Sequence, residues 1–431
     1  MSEIRYTIMK KRIILSAIFV VLAVSSGFYW AIYRQQNTLQ YNPKTLELIA
    51  IVEKNPTIKT LLLASINQAK KINSDPETNP AQTLEQYYEF VSFAEKAMPW
   101  NLLPKKKYPT LFKSIDQSLC YFYFINDQPL EQLKDKGYYN NSMQYVEPYA
   151  SWLISFDKDW GKYLDSEVSW NDDYYQRAFV DGNFGLQNGW YEDPKRWKTF
   201  NQFFSRYLKS PTERPVASPN NPAIVTSPAD SEPQGIWQID EKSQIVQKEG
   251  VAIKSGTLNS IEKLVGIESN YKTSFANGTF THSYLDVNDY HRYHFPVSGV
   301  IKEMRIIPEQ NAAGCIVTWD SQNKRYAYDA SVPGWQSVET RACVIIDTEK
   351  YGLVALLPIG MSQVCSVNFE KNLKVGDRIK KGDMMGYFLF GGSDFMMIFQ
   401  EKAKFSMTET VEKGKHKKLL MGQKYGIMLS E

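Results

Sequence analysis

Histidine and cysteine are both scarce in this chain, with four of each among 431 residues. The cysteines, Cys120, Cys315, Cys343 and Cys365, follow the spacing of neither a disulfide framework nor a zinc site, so buried free thiols are expected. Net charge is nearly absent as well: 50 basic against 47 acidic residues leave +3, which excludes a chain-wide field for a nucleic-acid partner. No internal repeat or low-complexity tract marks the first half. What the chain has is apolar surface to bury. Its 43% hydrophobic and 14% aromatic content suffices for packed cores and excludes global disorder.

Charge is informative locally. Arg5, Lys10, Lys11 and Arg12 precede an uncharged run from Ile13 to Tyr33 that closes at Arg34. A bilayer takes roughly 20 apolar residues to cross, and Phe28, Tyr29, Trp30 and Tyr33 supply aromatics for the interface. The expectation is a single-pass anchor with residues 1–12 in the cytoplasm and the bulk of the chain on the other side. Ala23-Val24-Ser25 resembles a small-residue cleavage site, so a removable signal peptide is the alternative.

From about Pro43 to Leu208 the texture is helical. Thr45 to Lys54, Thr57 to Ile72, Thr83 to Ala97 and Tyr149 to Tyr163 carry apolar residues at three- and four-residue spacing, with Asn55-Pro56 and Asp75-Pro76 as breakers. A proline-rich stretch then runs from Pro211 through Pro215, Pro219 and Pro222 to Pro228. Beyond it come short β runs, among them Ile236 to Ile239, Ala342 to Ile346, Leu353 to Ile359 and Tyr387 to Phe390. Gly376-Asp377 and Lys381-Gly382-Asp383 are spaced as turns. The fold class is therefore α+β: a membrane-spanning helix (13–33), a helical domain (40–199), a predominantly β domain (200–405) and a basic tail (406–431). Lys413, Lys415, Lys417 and Lys418 in that tail read as a solvated face or a contact to anionic lipid.

Three elements could carry chemistry. His291 and His294 lie three residues apart in Asp289-Tyr290-His291-Arg292-Tyr293-His294-Phe295-Pro296, a plausible acid and base pair. Zinc needs three or four ligands, and nothing nearby supplies the rest, so no metal is expected. Gly391-Gly392-Ser393-Asp394 follows a strand-like run, and Ser227-Pro228-Ala229-Asp230 follows a proline turn. Each of the last two, taken alone, reads as an ordinary turn.

Together and in this order the three elements resemble the phosphatidylserine decarboxylase family. The resemblance begins at Phe200 to Lys209 and runs through Arg214-Pro215, Pro228-Ala229-Asp230, Leu264-Val265-Gly266 and Phe275 to Gly278. It peaks at Asp289 to Gly299 and closes with Lys381 to Phe388 and the Gly-Gly-Ser, covering roughly residues 200 to 405. The helical segment before it resembles the accessory domain of one branch, similar also to enzymes of free, including aromatic, amino acids.

The resemblance implies a self-cleaving proenzyme. Ser393 Oγ would attack the Gly392 carbonyl, with His294 as base and Asp230 orienting it. Elimination and hydrolysis would leave a covalent pyruvoyl group at residue 393 and two chains, β ending at Gly392 and α beginning at 393, that stay associated. A substrate amine would form a Schiff base with that group, and His291 would return the proton after carbon dioxide leaves. The implied partners are a phospholipid or amino-acid substrate and a membrane, with no nucleic acid, and a homodimer is compatible with this reading.

Three departures bear on it. Ser231 follows Asp230 where the family usually has glycine, and Lys254 to Leu258 differs where the family shapes its substrate pocket. Asp394 follows Ser393 where threonine is common, and a carboxylate there could assist proton transfer or oppose an anionic intermediate. Three functions follow: conversion of phosphatidylserine to phosphatidylethanolamine, decarboxylation of a free amino acid, or an unprocessed lipid-binding relative without catalysis.

Overall fold

The computed structural model describes residues 41–99, 115–246, 260–309, 316–329, 335–361, 366–390, 392–408, 411–412 and 415–429. The expected membrane-spanning segment (13–33), Lys254 to Leu258, Cys315, Cys365 and Gly391 lie outside them. Among the described residues no helix is long and apolar enough to cross a membrane.

The helical half opens with α1 (Pro43–Lys54) and α2 (Pro56–Ile72), each started by a proline whose missing N–H costs nothing in the first turn. α3 (Leu84–Ala94) is capped by Thr83, whose side chain accepts from the Gln86 amide. Apolar spacing predicts this helix to Ala97, but it ends three residues earlier. There the buried Glu95 carboxylate turns to cap α1, accepting from Thr45 N and Oγ1 at 2.7 and 2.8 Å. α4 (Ile115–Asn126) and α5 (Tyr149–Leu164) follow, with Trp152, Leu153, Phe156 and Trp160 buried on one face of α5. α6 (Asp172–Val180), α7 (Phe200–Phe204) and α8 (Ile261–Val265) are shorter.

The β half is built from β1 (Ile224–Thr226), β2 (Glu232–Gln238), β3 (Thr279–Leu285), β4 (Arg292–His294), β5 (Gly299–Ile307), β6 (Ile316–Asp320), β7 (Arg325–Asp329), β8 (Arg341–Asp347), β9 (Leu353–Met361), β10 (Val367–Phe369), β11 (Arg378–Ile379), β12 (Met384–Phe388), β13 (Gly392–Phe399), β14 (Ser406–Met407), β15 (Val411–Glu412), β16 (Lys415–His416) and β17 (Lys424–Ile427). The main sheet is antiparallel, in the order β11-β5-β8-β9-β13-β3-β2. β13 is interior to it, between β9 and β3, and its run Phe395 to Phe399 is buried on both faces. Phe395, Met397 and Phe399 join one core with Phe204, Phe388 and Phe390, whereas Met396 and Ile398 join a second core with Ile261, Leu264 and Trp335. Strand alternation makes these the two faces of the sheet.

The hairpin β6–β7 leaves the β half and enters the helical core. Tyr326 is buried there between Tyr121 and Phe124, its backbone paired in both directions with the Gln117 side chain. The buried Asp127 carboxyl accepts from Val317 N at 3.0 Å, and burial raises its pKa to about 7. The helical and β segments therefore share a hydrophobic core across the hairpin.

The chain after Phe405 is part of the fold. β17 pairs with β1 and β14, and Ser231 and Leu419 exchange backbone hydrogen bonds. Lys418, which the sequence presents as part of a solvated basic tail, forms an ion pair with the buried Asp289.

Candidate active site

Two short strands position the histidines. β4 pairs with β12, which pairs with β10. Gly386 in β12 is required there, because a side chain would overlap the Asn368 carbonyl and the Tyr293 ring. This close approach seats β4 with both of its neighbouring imidazoles buried.

His294 donates from Nδ1 to the Gly382 carbonyl at 2.8 Å, in a turn where Gly382 has φ +92°. That bond fixes the tautomer, so Nε2 is an acceptor, and the Tyr290 hydroxyl donates to it at 3.2 Å. Burial lowers the His294 pKa to about 4, while the Gly382 bond and the charge of Asp230 act in the opposite direction. The ring is neutral near pH 7.

Asp230 and His294 are near enough to interact by charge but share no hydrogen bond. The Asp230 carboxylate is held instead by Arg214, Nε to Oδ1 at 3.0 Å and Nη2 to Oδ2 at 2.7 Å, and by the Met421 amide at 2.8 Å. Arg214 lies 4.3 Å over the Trp190 ring. Asp230, which the resemblance implies orients His294, acts on that ring by charge and not through a direct hydrogen bond. The fork of a guanidinium matches both carboxylate oxygens and outcompetes a single imidazole N–H. Ser231, the first departure, fits without disturbance: it is buried, and its hydroxyl donates to the Ala229 carbonyl at 3.3 Å.

His291 has a different setting. Its Nδ1 donates to the Asp289 carbonyl at 2.8 Å, its ring stacks on Phe204 at 3.8 Å, and its buried Nε2 has no hydrogen-bond partner among the described residues. Burial, aided by the positive charge of Arg206, holds its pKa well below the usual imidazole value. Nε2 is thus a free acceptor in an apolar wall.

Ser393 lies at the start of β13, opposite Leu285 on β3 and Gly360 on β9. It is fully buried and its Oγ has no hydrogen-bond partner among the described residues. Alternation puts it on the face of Phe395 and Met397, in the core that contains Phe204 and Phe390. Phe204, on which His291 stacks, is 5.2 Å from Phe390, three residues before Ser393 in the chain.

Asp394 points to the opposite face. Its Oδ1 lies 2.6 Å from His282 Nε2, and both side chains are fully buried. Sequence reasoning passed over His282, Arg214, Arg206 and Tyr290 as functional residues. For His282 a signal existed: alternation in Thr279 to Leu285 places it with Phe280 on an apolar face, where a histidine needs a partner.

Known proteins are similar to a large part of this chain. A family model described as phosphatidylserine decarboxylase matches residues 200–427. The chain is 35% identical over 215 residues to phosphatidylserine decarboxylase proenzyme 2 of Oryza sativa subsp. japonica, covering 49% of this chain but only 31% of the rice protein. It is 26% identical over 319 residues to decarboxylase iboD of Amanita muscaria, covering 70% of this chain and 88% of that protein. It is 29% identical over 253 residues to the phosphatidylserine decarboxylase proenzyme of Alcanivorax borkumensis, covering 56% and 82% respectively. The matched region takes in more than half of the chain, including Asp230, His291, His294 and Ser393, and the chain belongs to the phosphatidylserine decarboxylase family.

Proposed function

We propose that the chain is a self-processing decarboxylase that converts phosphatidylserine to phosphatidylethanolamine and carbon dioxide, with Ser393 as precursor of a pyruvoyl group. The observation that carries this reading is the serine itself: a fully buried hydroxyl with no hydrogen-bond partner among the described residues, at the second position of an interior strand, after Gly392. A structural serine so deeply buried would ordinarily be paired.

Attack by Ser393 Oγ on the Gly392 carbonyl forms the O–C bond and moves the carbonyl π pair onto oxygen. The hydroxyl proton passes to a base, and collapse releases the Ser393 nitrogen, which takes up a proton, leaving an ester. His294 is the proposed base, with its Nε2 acceptor now facing the Tyr290 hydroxyl and its protonated form favoured by the charge of Asp230. Asp230 would act through space and through the Arg214 clamp. His291, neutral and open at Nε2, is proposed to carry the proton that replaces carbon dioxide. The residues present fit a pyruvoyl group, which supplies an electron sink for decarboxylation when formed.

Cleavage before Ser393 leaves β13 between β9 and β3, which supports lasting association of the two chains. We also propose that the segment 13–33 anchors the protein in a membrane where its lipid substrate resides, with a homodimer compatible with this arrangement. A free amino acid is the second substrate reading; it rests on the helical segment before residue 200, which resembles the accessory domain of a branch that includes enzymes of free amino acids.

Intact mass of the purified chain tests the reading. Two fragments separated at Gly392 and Ser393, with amine release from phosphatidylserine, are expected; Ser393→Ala should stay whole. A wild-type chain that stays whole would sink the proposal. Amine release from free tryptophan or tyrosine alone would select the second substrate. Cleavage lost in His291→Ala but kept in His294→Ala would exchange the roles of the two histidines.

A further inference from the structure

We propose that His282 and Asp394 form a charge-compensating pair that positions Ser393 for self-cleavage from the opposite face of the sheet. This rests on the self-processing reading above and concerns two residues to which that reading gives no role.

Asp394 adjoins the nucleophile, and its carbonyl-side neighbour in the reaction is only two residues away. Gly392 and Asp394 sit about 7 Å apart along an extended strand. An unpaired carboxylate at that range from the oxyanion forming on Gly392 would repel it strongly enough to slow attack tenfold or more. Burial gives the repulsion little solvent to screen it.

His282 answers that charge. Its Nε2 meets Asp394 Oδ1 at 2.6 Å, with both residues fully buried and the Trp335 ring 6.1 Å from the imidazole. Register explains the contact: His282 pairs across the strands with Met396, and Asp394 with Tyr284, so the two side chains are diagonal neighbours on one face. Each keeps one buried atom without a hydrogen-bond partner among the described residues, His282 Nδ1 and Asp394 Oδ2. Burial raises the proton affinity of Asp394, and the charge of His282 lowers it.

Other charged groups on this face are committed elsewhere. Arg341 shares the cross-strand row of Asp394 through Ile359, but its guanidinium donates to the carbonyls of Lys263, Leu264, Ser337 and Glu339. Glu232 lies in the same row beyond Tyr284, at the sheet edge. Glu339 accepts from the Tyr145 hydroxyl at 3.4 Å and interacts by charge with Asp157. His282 is the side chain that meets the Asp394 carboxyl within hydrogen-bond distance among the described residues.

The test follows cleavage of the newly synthesised full-length chain over time on a denaturing gel, between pH 5 and pH 8. His282→Gln should cleave at least about tenfold more slowly than wild type at pH 8, with the deficit shrinking toward pH 5 as the stranded carboxylate takes a proton. Adding Asp394→Asn to His282→Gln should bring the rate back to within about threefold of wild type and remove the pH dependence. A His282→Gln rate equal to wild type, a deficit equal at every pH, or no recovery in the double variant would overturn the inference while leaving self-processing intact. A wild-type chain that never cleaves would overturn both.

Discussion

Arg206 and His291 donate to one acceptor, the carbonyl oxygen of Asp289, at 3.1 and 2.8 Å. The guanidinium also reaches the Asn288 carbonyl at 3.0 Å and lies 4.4 Å over the Tyr191 ring. It thereby holds the loop that orients the imidazole, and its charge disfavours the imidazolium.

Arg206→Met should accordingly raise the pH at which His291 takes up a proton, moving the corresponding limb of the decarboxylation profile to higher pH. Stability should fall by roughly 3 kcal/mol in urea, since buried carbonyls lose their donor. A profile unmoved in pH would leave Arg206 a purely structural residue.

The Arg214–Asp230 ion pair is almost fully buried. Removing one partner strands the other, so Arg214→Met should destabilise by about 3–5 kcal/mol. The double variant Arg214→Met with Asp230→Leu should recover much of that loss without recovering cleavage. Chemical denaturation and gel analysis of the three proteins separate the two effects.

The pKa of about 4 at His294 makes a pH statement about stability. Between the usual imidazole value near 6.5 and that pKa, the unfolded chain binds more protons than the folded one. Stability should therefore fall as pH drops through this window, by roughly 3 kcal/mol in total from this residue. Asp289, with its pKa raised to about 7 by burial, works in the opposite sense. The difference between wild type and His294→Gln isolates the histidine: wild type should lose roughly 3 kcal/mol relative to the variant as pH drops from 6.5 to 4.

Fragments produced by cleavage should elute together in native size exclusion and separate only in denaturant. Residues 393 to 399 keep hydrogen bonds to both β9 and β3, and β17 stays paired with β1. Separation of the fragments in plain buffer would contradict this.

Tyr326 joins the two halves. Its hydroxyl donates to Thr78 O at 2.8 Å and accepts from Asn73 Nδ2 at 2.8 Å. Tyr326→Ala should cost about 3–5 kcal/mol, the range for a large buried aromatic, read as a shift in the thermal or urea transition. Tyr326→Phe, which keeps the ring but leaves buried partners unpaired, should cost about 1–3 kcal/mol.

Much of the architecture is legible in the linear pattern. Three- and four-residue spacing marks α1, α2 and α5, and the short runs bounded by Gly, Pro and Asp mark β8, β9 and β12. The early end of α3 is not legible, because Glu95 leaves the helix for a tertiary role at the start of α1. Nor is the hairpin β6–β7, whose Tyr326 reads as an ordinary strand residue until the helices close around it.

The same division runs through the site. The sequence by itself determined the chemical inventory: Ser393 after paired glycines, two histidines three apart, an aspartate after a proline turn, and their family resemblance. Which group each would meet was decided only by tertiary structure. Asp230 is claimed by Arg214 and by a C-terminal amide 191 positions away, and Asp394 by a histidine 112 positions away. Local periodicity encodes which face a side chain takes, and so turned Asp394 away from Ser393. It carries no information about which charges from distant strands will be buried beside it, and burial sets the pairing because an unpaired charge in that interior is too costly to leave.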